Sequence, residues 1–142
     1  MAFSNYDATT TNKSPRSNRI YSDLNLSFTK NPATKDVSRY FDIQAIKRAV
    51  KNIILTNKFE KPFNPDFGCN LRGFLFENIS DPMMIIIKDR IAKAITDYEP
   101  RVSVQNITLS YDGKNGLNIS VSVLVVGSTE PVTVTTFLQR VR

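Results

Sequence analysis

Beyond Arg101 the apolar residues fall at every second position, in three runs broken by two turn signals. That pattern constrains the fold more than any other feature of the chain. Val104 opens the first run, and Ile107, Leu109 and Tyr111 continue it after a phase slip near Gln105 and Asn106 that predicts a β-bulge. The stretch DGKNG, Asp112 to Gly116, is a hairpin signal. Leu117, Ile119, Val121, Val123 and Val125 form the second run, GSTEP turns the chain again, and Val132, Val134, Thr136 and Leu138 form the third. Period-two runs joined by short turns predict an antiparallel three-stranded meander with one buried face.

Upstream the period is helical. From Asp42, apolar Ile43, Ile46, Val50, Ile53 and Ile54 recur at spacings of three and four, which predicts an amphipathic helix capped by Asp42. The cations between them, Lys47, Arg48 and Lys51, read as its solvated face. A second helix is expected from SDPMMIII, with Ser80 or Asp81 as cap and Pro82 in the first turn. Met84, Ile87, Ile91, Ala94 or Ile95, and Tyr98 are its buried stripe. Two helices followed by a meander make an α+β fold with both helices packed on one face of the sheet.

Between the helices, Asn57 to Ile79 interleaves Phe59, Phe63, Phe67, Phe74 and Phe76 with two prolines and two glycines. This is too apolar for a solvated linker, and it reads as a punctuated loop whose phenylalanines cap the core. Tyr21 to Phe28 places Leu24, Leu26 and Phe28 on one side of a short extended segment, and TKNPATKD follows as a loop. Residues 1–20, rich in Ser, Thr and Asn, are expected to form a flexible arm, leaving 21–142 as a single domain.

Composition narrows function by exclusion. The chain has 142 residues, 41% hydrophobic and 23% charged, which suits one globular core. Its longest uncharged apolar run, Pro82 to Ile87, is far short of the ~20 residues of a membrane span, so no membrane partner is expected. The N-terminus has no apolar segment of a secretory signal, which predicts residence in a cytoplasm. There is no histidine and a single cysteine, Cys69, read as a small buried filler. Ser/His/Asp and Cys/His catalysis are thereby excluded, and any metal would depend on carboxylates. The net charge of +6 is spread along the chain without a basic block or phosphate loop, so neither a cofactor nor nucleic acid is expected.

The segment TDYEPRV, Thr96 to Val102, joins the helical half to the sheet. Pro100 biases Glu99 away from helix, so the second helix should stop near Tyr98. If Glu99 and Arg101 are both extended, their side chains point to the same side, roughly 7 Å apart at Cα. A carboxylate and a guanidinium held side by side serve the fold, a reaction or a partner. Three strands also leave two edges. The last, with Val132, Thr133, Val134, Thr135 and Thr136, has little charge before Arg140 and suits pairing with a partner's strand.

The combination KPFNPDFGCNLRGFLFEN, an intervening helix and YEPRV resembles the small baseplate-wedge protein family of contractile-tailed phages, to which a type VI secretion baseplate subunit is related. The resemblance covers about Tyr21 to Arg142. It implies a structural protein of the virion's tail baseplate, assembled in the host cytoplasm and similar in fold to the conserved domain of the tail-sheath subunit. It further implies six copies per baseplate and initiation of the sheath by strand sharing with the first sheath ring. Glu99, Pro100 and Arg101 then match the motif that contacts the helical core bundle of neighbouring wedge subunits.

Two other functions are compatible with parts of the sequence. Members of the same family have been labelled lysozyme-like, and glycoside hydrolysis needs two carboxylates, here Glu99 with Glu77 or Asp97. A cation two residues from Glu99 favours its charged form, whereas a general acid must hold a proton. A basic nucleic-acid-binding module is the other alternative; its signature is a steep loss of binding with salt.

Overall fold

The structure, a computed structural model, describes residues 21–77, 80–111 and 116–139. The expected N-terminal arm, most of the DGKNG turn and Arg140 lie outside the described residues. Along the chain run β1 (Ser22–Leu24), β2 (Arg39–Phe41), α1 (Asp42–Leu55), a 3₁₀ helix (Arg72–Phe76), α2 (Asp81–Tyr98), β3 (Val102–Tyr111), β4 (Gly116–Val125) and β5 (Pro131–Gln139).

The period-two runs form the antiparallel sheet β3-β4-β5, with β4 in the middle. Its register pairs Tyr111 with Leu117 and Leu124 with Pro131, and slips between Val104 and Asn106, leaving Gln105 unpaired at the expected bulge. Leu117, Ile119, Val121, Val123 and Val125 are buried on one face, as are Val132, Val134, Thr136 and Leu138. Thr108, Ser110, Asn118, Thr133 and Thr135 are exposed, so only one face of the sheet is covered. The helices supply the cover, α1 against β5 and α2 against β3, and they also touch each other. This is the two-layer α+β arrangement that the change of period predicts.

Within α1, Ala45, Ile46, Val50, Ile53 and Ile54 are buried, but Ile43, in the same first turn as Ala45, is exposed. Phe41 takes the cap position, and Asp42 stands in the first turn. Its carboxylate accepts the backbone N–H of Tyr21 at 3.1 Å while its own N–H donates to the Tyr21 carbonyl at 2.8 Å. The first helical turn is thus tied to the start of the β1-β2 hairpin, a second small sheet that the loop reading of residues 29–36 does not foresee. Leu24, Leu26 and Phe28 are all exposed.

In α2 the stripe Ile87, Ile91, Ala94 and Ile95 is buried, with Met84 and Tyr98 packed at its margins. The connection between helices packs differently from the expectation. Phe67 and Phe74 lie against the core, Phe67 meeting Tyr98 with ring centroids 4.9 Å apart, but Phe59, Phe63 and Phe76 are exposed. Its deep anchors are smaller: Cys69, Leu71 and Leu75. They are held by the carbonyl of Thr56, which follows the last turn of α1 and accepts N–H bonds from Cys69 at 3.1 Å and Asn70 at 3.5 Å. Gly68 lies against the same carbonyl with φ of +99°, and a Cβ there would sit 2.3 Å from the Thr56 oxygen. Only glycine permits that approach.

Candidate partner interfaces

The helix-to-sheet junction is a turn rather than a continuous extended segment. The Glu99 N–H closes α2 on the Ile95 carbonyl at 2.8 Å, and the Val102 N–H donates to the Glu99 carbonyl at 3.2 Å. Pro100 thereby takes the second position of a four-residue turn, which its fixed φ favours. The Arg101 carbonyl then accepts the Val126 N–H at 2.9 Å and starts the ladder with β4. The turn brings the two charges together as a bidentate pair: Arg101 Nε donates to Glu99 Oε1 and its terminal nitrogen to Oε2, both at 2.5 Å.

The two partners differ in exposure. The Glu99 side chain is only 5% exposed, whereas that of Arg101 is 35% exposed. The hydrogen bonds that Arg101 donates to Glu99 hold its guanidinium above its usual pKa range. Arg101 is also stacked over the ring of Tyr21, 4.9 Å from its centroid. Through the Tyr21–Asp42 hydrogen bonds this links the junction to the start of α1. Pro100 and part of the guanidinium face solvent. Two of the five N–H donors of Arg101 are directed at Glu99, and the fork as a whole is fixed in place.

The second candidate surface is the outer edge of β5. In an antiparallel ladder, residues that exchange hydrogen bonds with one neighbour alternate with residues that face the other way. The Val126 N–H bonded to Arg101, with Val102 opposite Val125, places the even-numbered residues of β4 in bonded pairs with β3. The odd-numbered ones therefore bond β5, through Val123 with Val132, Val121 with Val134 and Ile119 with Thr136. It follows that the backbone N–H and C=O groups of Thr133, Thr135 and Phe137 point to the open edge, as does the nitrogen of Pro131, which has no hydrogen to donate. Val132, Val134 and Thr136 belong to the bonded phase and send their side chains into the core.

The carboxylates considered for hydrolysis do not share one environment. Glu99 is buried with both oxygens taken by Arg101. Asp97 lies on the exposed side of α2, in a cleft with Lys58, Asp66, Asp89, Arg90 and Lys93. Glu77 ends the 3₁₀ helix with its backbone N–H on the Phe74 carbonyl. Two features of these surfaces were not readable in the sequence. Tyr21 reaches Arg101 across most of the chain, and the cations of α1 lie beside β5. Neither has a local signal.

Comparison with known proteins places this geometry. The family model described as "Baseplate wedge protein gp25" matches residues 42–130, which include both helices and the junction. The baseplate wedge protein gp25 of Enterobacteria phage T4 is 37% identical over 97 residues, 67% of this chain and 73% of that protein. Solved structures with the same fold include a component of the anti-feeding prophage baseplate, at a TM-score of 0.67 and 21% identity over 78% of this chain and 89% of the other. A chain of the postcontracted pyocin R2 baseplate gives 0.58 and 15% over 74% and 98%. A Geobacter sulfurreducens protein named as a candidate tail lysozyme gives 0.62 and 21% over 68% and 89%. With the family model spanning more than half of the chain and a relative at this identity, the chain belongs to the gp25 family of baseplate wedge proteins.

Proposed function

We propose that this protein is a structural wedge subunit of a contractile tail baseplate, without enzymatic activity, that docks on the wedge core bundle through Pro100 and Arg101 and primes the sheath at β5. Membership of the gp25 family supports the wedge role. The partners are other wedge subunits, six copies per baseplate, and the first ring of sheath subunits. Glu99 acts from beneath: its buried carboxylate orients the guanidinium, and the solvent-facing side of Arg101 meets the neighbouring subunit. A Glu99 held on both oxygens by a guanidinium has neither the proton of a general acid nor a free oxygen for nucleophilic attack, which favours the structural role over hydrolysis.

The observation that carries the priming reading is the outward-facing backbone of Thr133, Thr135 and Phe137 on an edge that no strand pairs among the described residues. A sheath-like sheet fixed in the baseplate offers incoming subunits a preformed ladder, and so removes the unfavourable first step of an ordered polymer. Thr133→Pro and Thr135→Pro each delete one outward donor. Both variants are expected to assemble baseplates and tubes that carry no sheath, as counted by electron microscopy of reconstituted tails. Fully sheathed tails at wild-type yield would reject β5 as the priming edge, and peptidoglycan cleavage by the purified protein would reject the non-enzymatic reading.

A further inference from the structure

The open edge of β5 is one wall of a groove whose other wall is α1. Thr133 and Thr135 line it from the sheet, and Lys47, Arg48 and Lys51 line it from the helix, together with Tyr40; among the described residues no carboxylate lines it. The helix follows the strand, because Lys51 also flanks Thr135 to Phe137 and Leu55 flanks Phe137 to Gln139. Among the described residues the ion pairs are Lys58–Asp66 and Glu99–Arg101, so the three cations of the groove have no carboxylate partner. Arg48 is held over the Tyr40 ring, 5.7 Å from its centroid, with one long hydrogen bond of 3.4 Å to Ser27 Oγ. Its Nε is shielded from solvent and has no acceptor.

Three positive charges along one wall, without a carboxylate partner among the described residues, repel each other and any basic chain that enters. An extended segment paired to β5 would send every second side chain towards α1. Lys47 and Lys51 are one helical turn apart, about 6 Å along the axis, close to the roughly 6.6 Å between alternate residues of a strand. Carboxylates at alternate positions of a strand running along α1 therefore match them in spacing as well as in sign. We propose that the segment completing the sheet at β5 is an acidic strand of a partner protein, with Asp or Glu on the side facing Lys47 and Lys51. This rests on the reading of β5 as an edge that accepts a strand, and adds the chemistry by which the strand is chosen. Backbone bonds supply affinity in such a pairing, and the charges supply register and partner choice.

Two measurements test it. The first is the density on β5 in the assembled particle at side-chain resolution, with an acidic strand expected and its carboxylates within ion-pair distance of Lys47 or Lys51. The second is the yield of sheathed tails from Lys47→Glu/Lys51→Glu, whose baseplates should form normally while sheath initiation falls about ten-fold; Lys47→Arg/Lys51→Arg should retain it. Initiation on the wild-type protein should also weaken as salt is raised. A neutral or basic strand on β5, or wild-type sheath yield from the charge-reversed variant, overturns the acidic assignment and leaves the priming reading intact. A bare edge, or nucleic acid in the groove, overturns both. An acidic strand donated by another baseplate protein upholds the assignment and overturns the sheath reading. If the charge-reversed variant melts well below wild type, the wild-type density alone decides.

Discussion

Arg101 covers Glu99: a guanidinium that is one-third exposed neutralises a carboxylate that is almost fully buried, on both of its oxygens. The pair serves the fold and leaves only the arginine accessible to a partner. Removing Arg101 would strand a buried negative charge. Arg101→Ala is therefore expected to lose about 2 to 3 kcal/mol of stability, less than the 3 to 5 kcal/mol typical of fully buried pairs because one partner is partly in water. Urea unfolding measures this directly. A loss below about 0.5 kcal/mol, the range of ordinary surface substitutions, would mean that the pair does not hold the junction.

Gly68 is required by both its backbone conformation and its surroundings. Gly68→Ala combines a left-handed backbone with a Cβ pressed against the Thr56 carbonyl, and the hydrogen bonds that this carbonyl accepts from Cys69 and Asn70 must loosen to accommodate it. The expected loss is about 2 to 4 kcal/mol. Gly127, with φ of +87° but nothing within 4 Å of where a Cβ would sit, is the control: its alanine variant should lose only about 1 kcal/mol. Equal losses at the two glycines would show that crowding by Thr56 is not what matters.

Adjacent residues of β5 should respond in opposite ways to proline. Val134 is in the phase bonded to β4 and buried, so Val134→Pro removes an internal hydrogen bond and should cost about 3 kcal/mol or more. Thr135→Pro removes an outward donor and should leave a monomer that unfolds within about 1 kcal/mol of wild type. The comparison needs no partner. If Thr135→Pro is the more damaging, the assignment of strand phase is reversed.

Cys69 should be chemically silent in the native protein. Burial pushes its thiol up to about 12 from an ordinary value near 9.0, so almost no thiolate exists at neutral or mildly alkaline pH. Labelling by an aromatic disulfide at pH 8 is expected only at the rate of unfolding. The folded state holds the Cys69 proton more tightly, so this contribution to stability is complete below about pH 9 and declines as pH rises towards 12. Cys69→Ala should show a shallower alkaline loss than wild type. Fast labelling of the folded protein would contradict the burial.

The legible parts of this fold are those written in periodic apolar spacing. The sheet, the bulge at Gln105, the stripe Ile87 to Ile95 and the end of α2 at Tyr98 all depend on neighbours a few residues away. Where packing between distant segments decides, local patterns were silent or wrong. Ile43 fits the helical stripe but is exposed, and Phe63 looks like a core residue yet projects into solvent. The Asp42 carboxylate has the chemistry of a cap but is engaged by Tyr21. For the candidate interfaces, the charges at Glu99 and Arg101 were readable as a pair. That one of them is buried required the structure, as did the placement of the α1 cations beside β5.

The bulge at Gln105 gives the sheet a polarity. It lies on β3, the edge opposite β5, where an extra residue bends the strand and breaks the even spacing of backbone groups that another strand would need. One edge is therefore a poor template and the other a regular one. If β5 accepts a strand as proposed, the sheet has a single live end: two copies cannot zip together back to back through both edges, and pairing would extend it in one direction. Under the proposed priming role, that asymmetry would set the heading of growth from within a single small sheet.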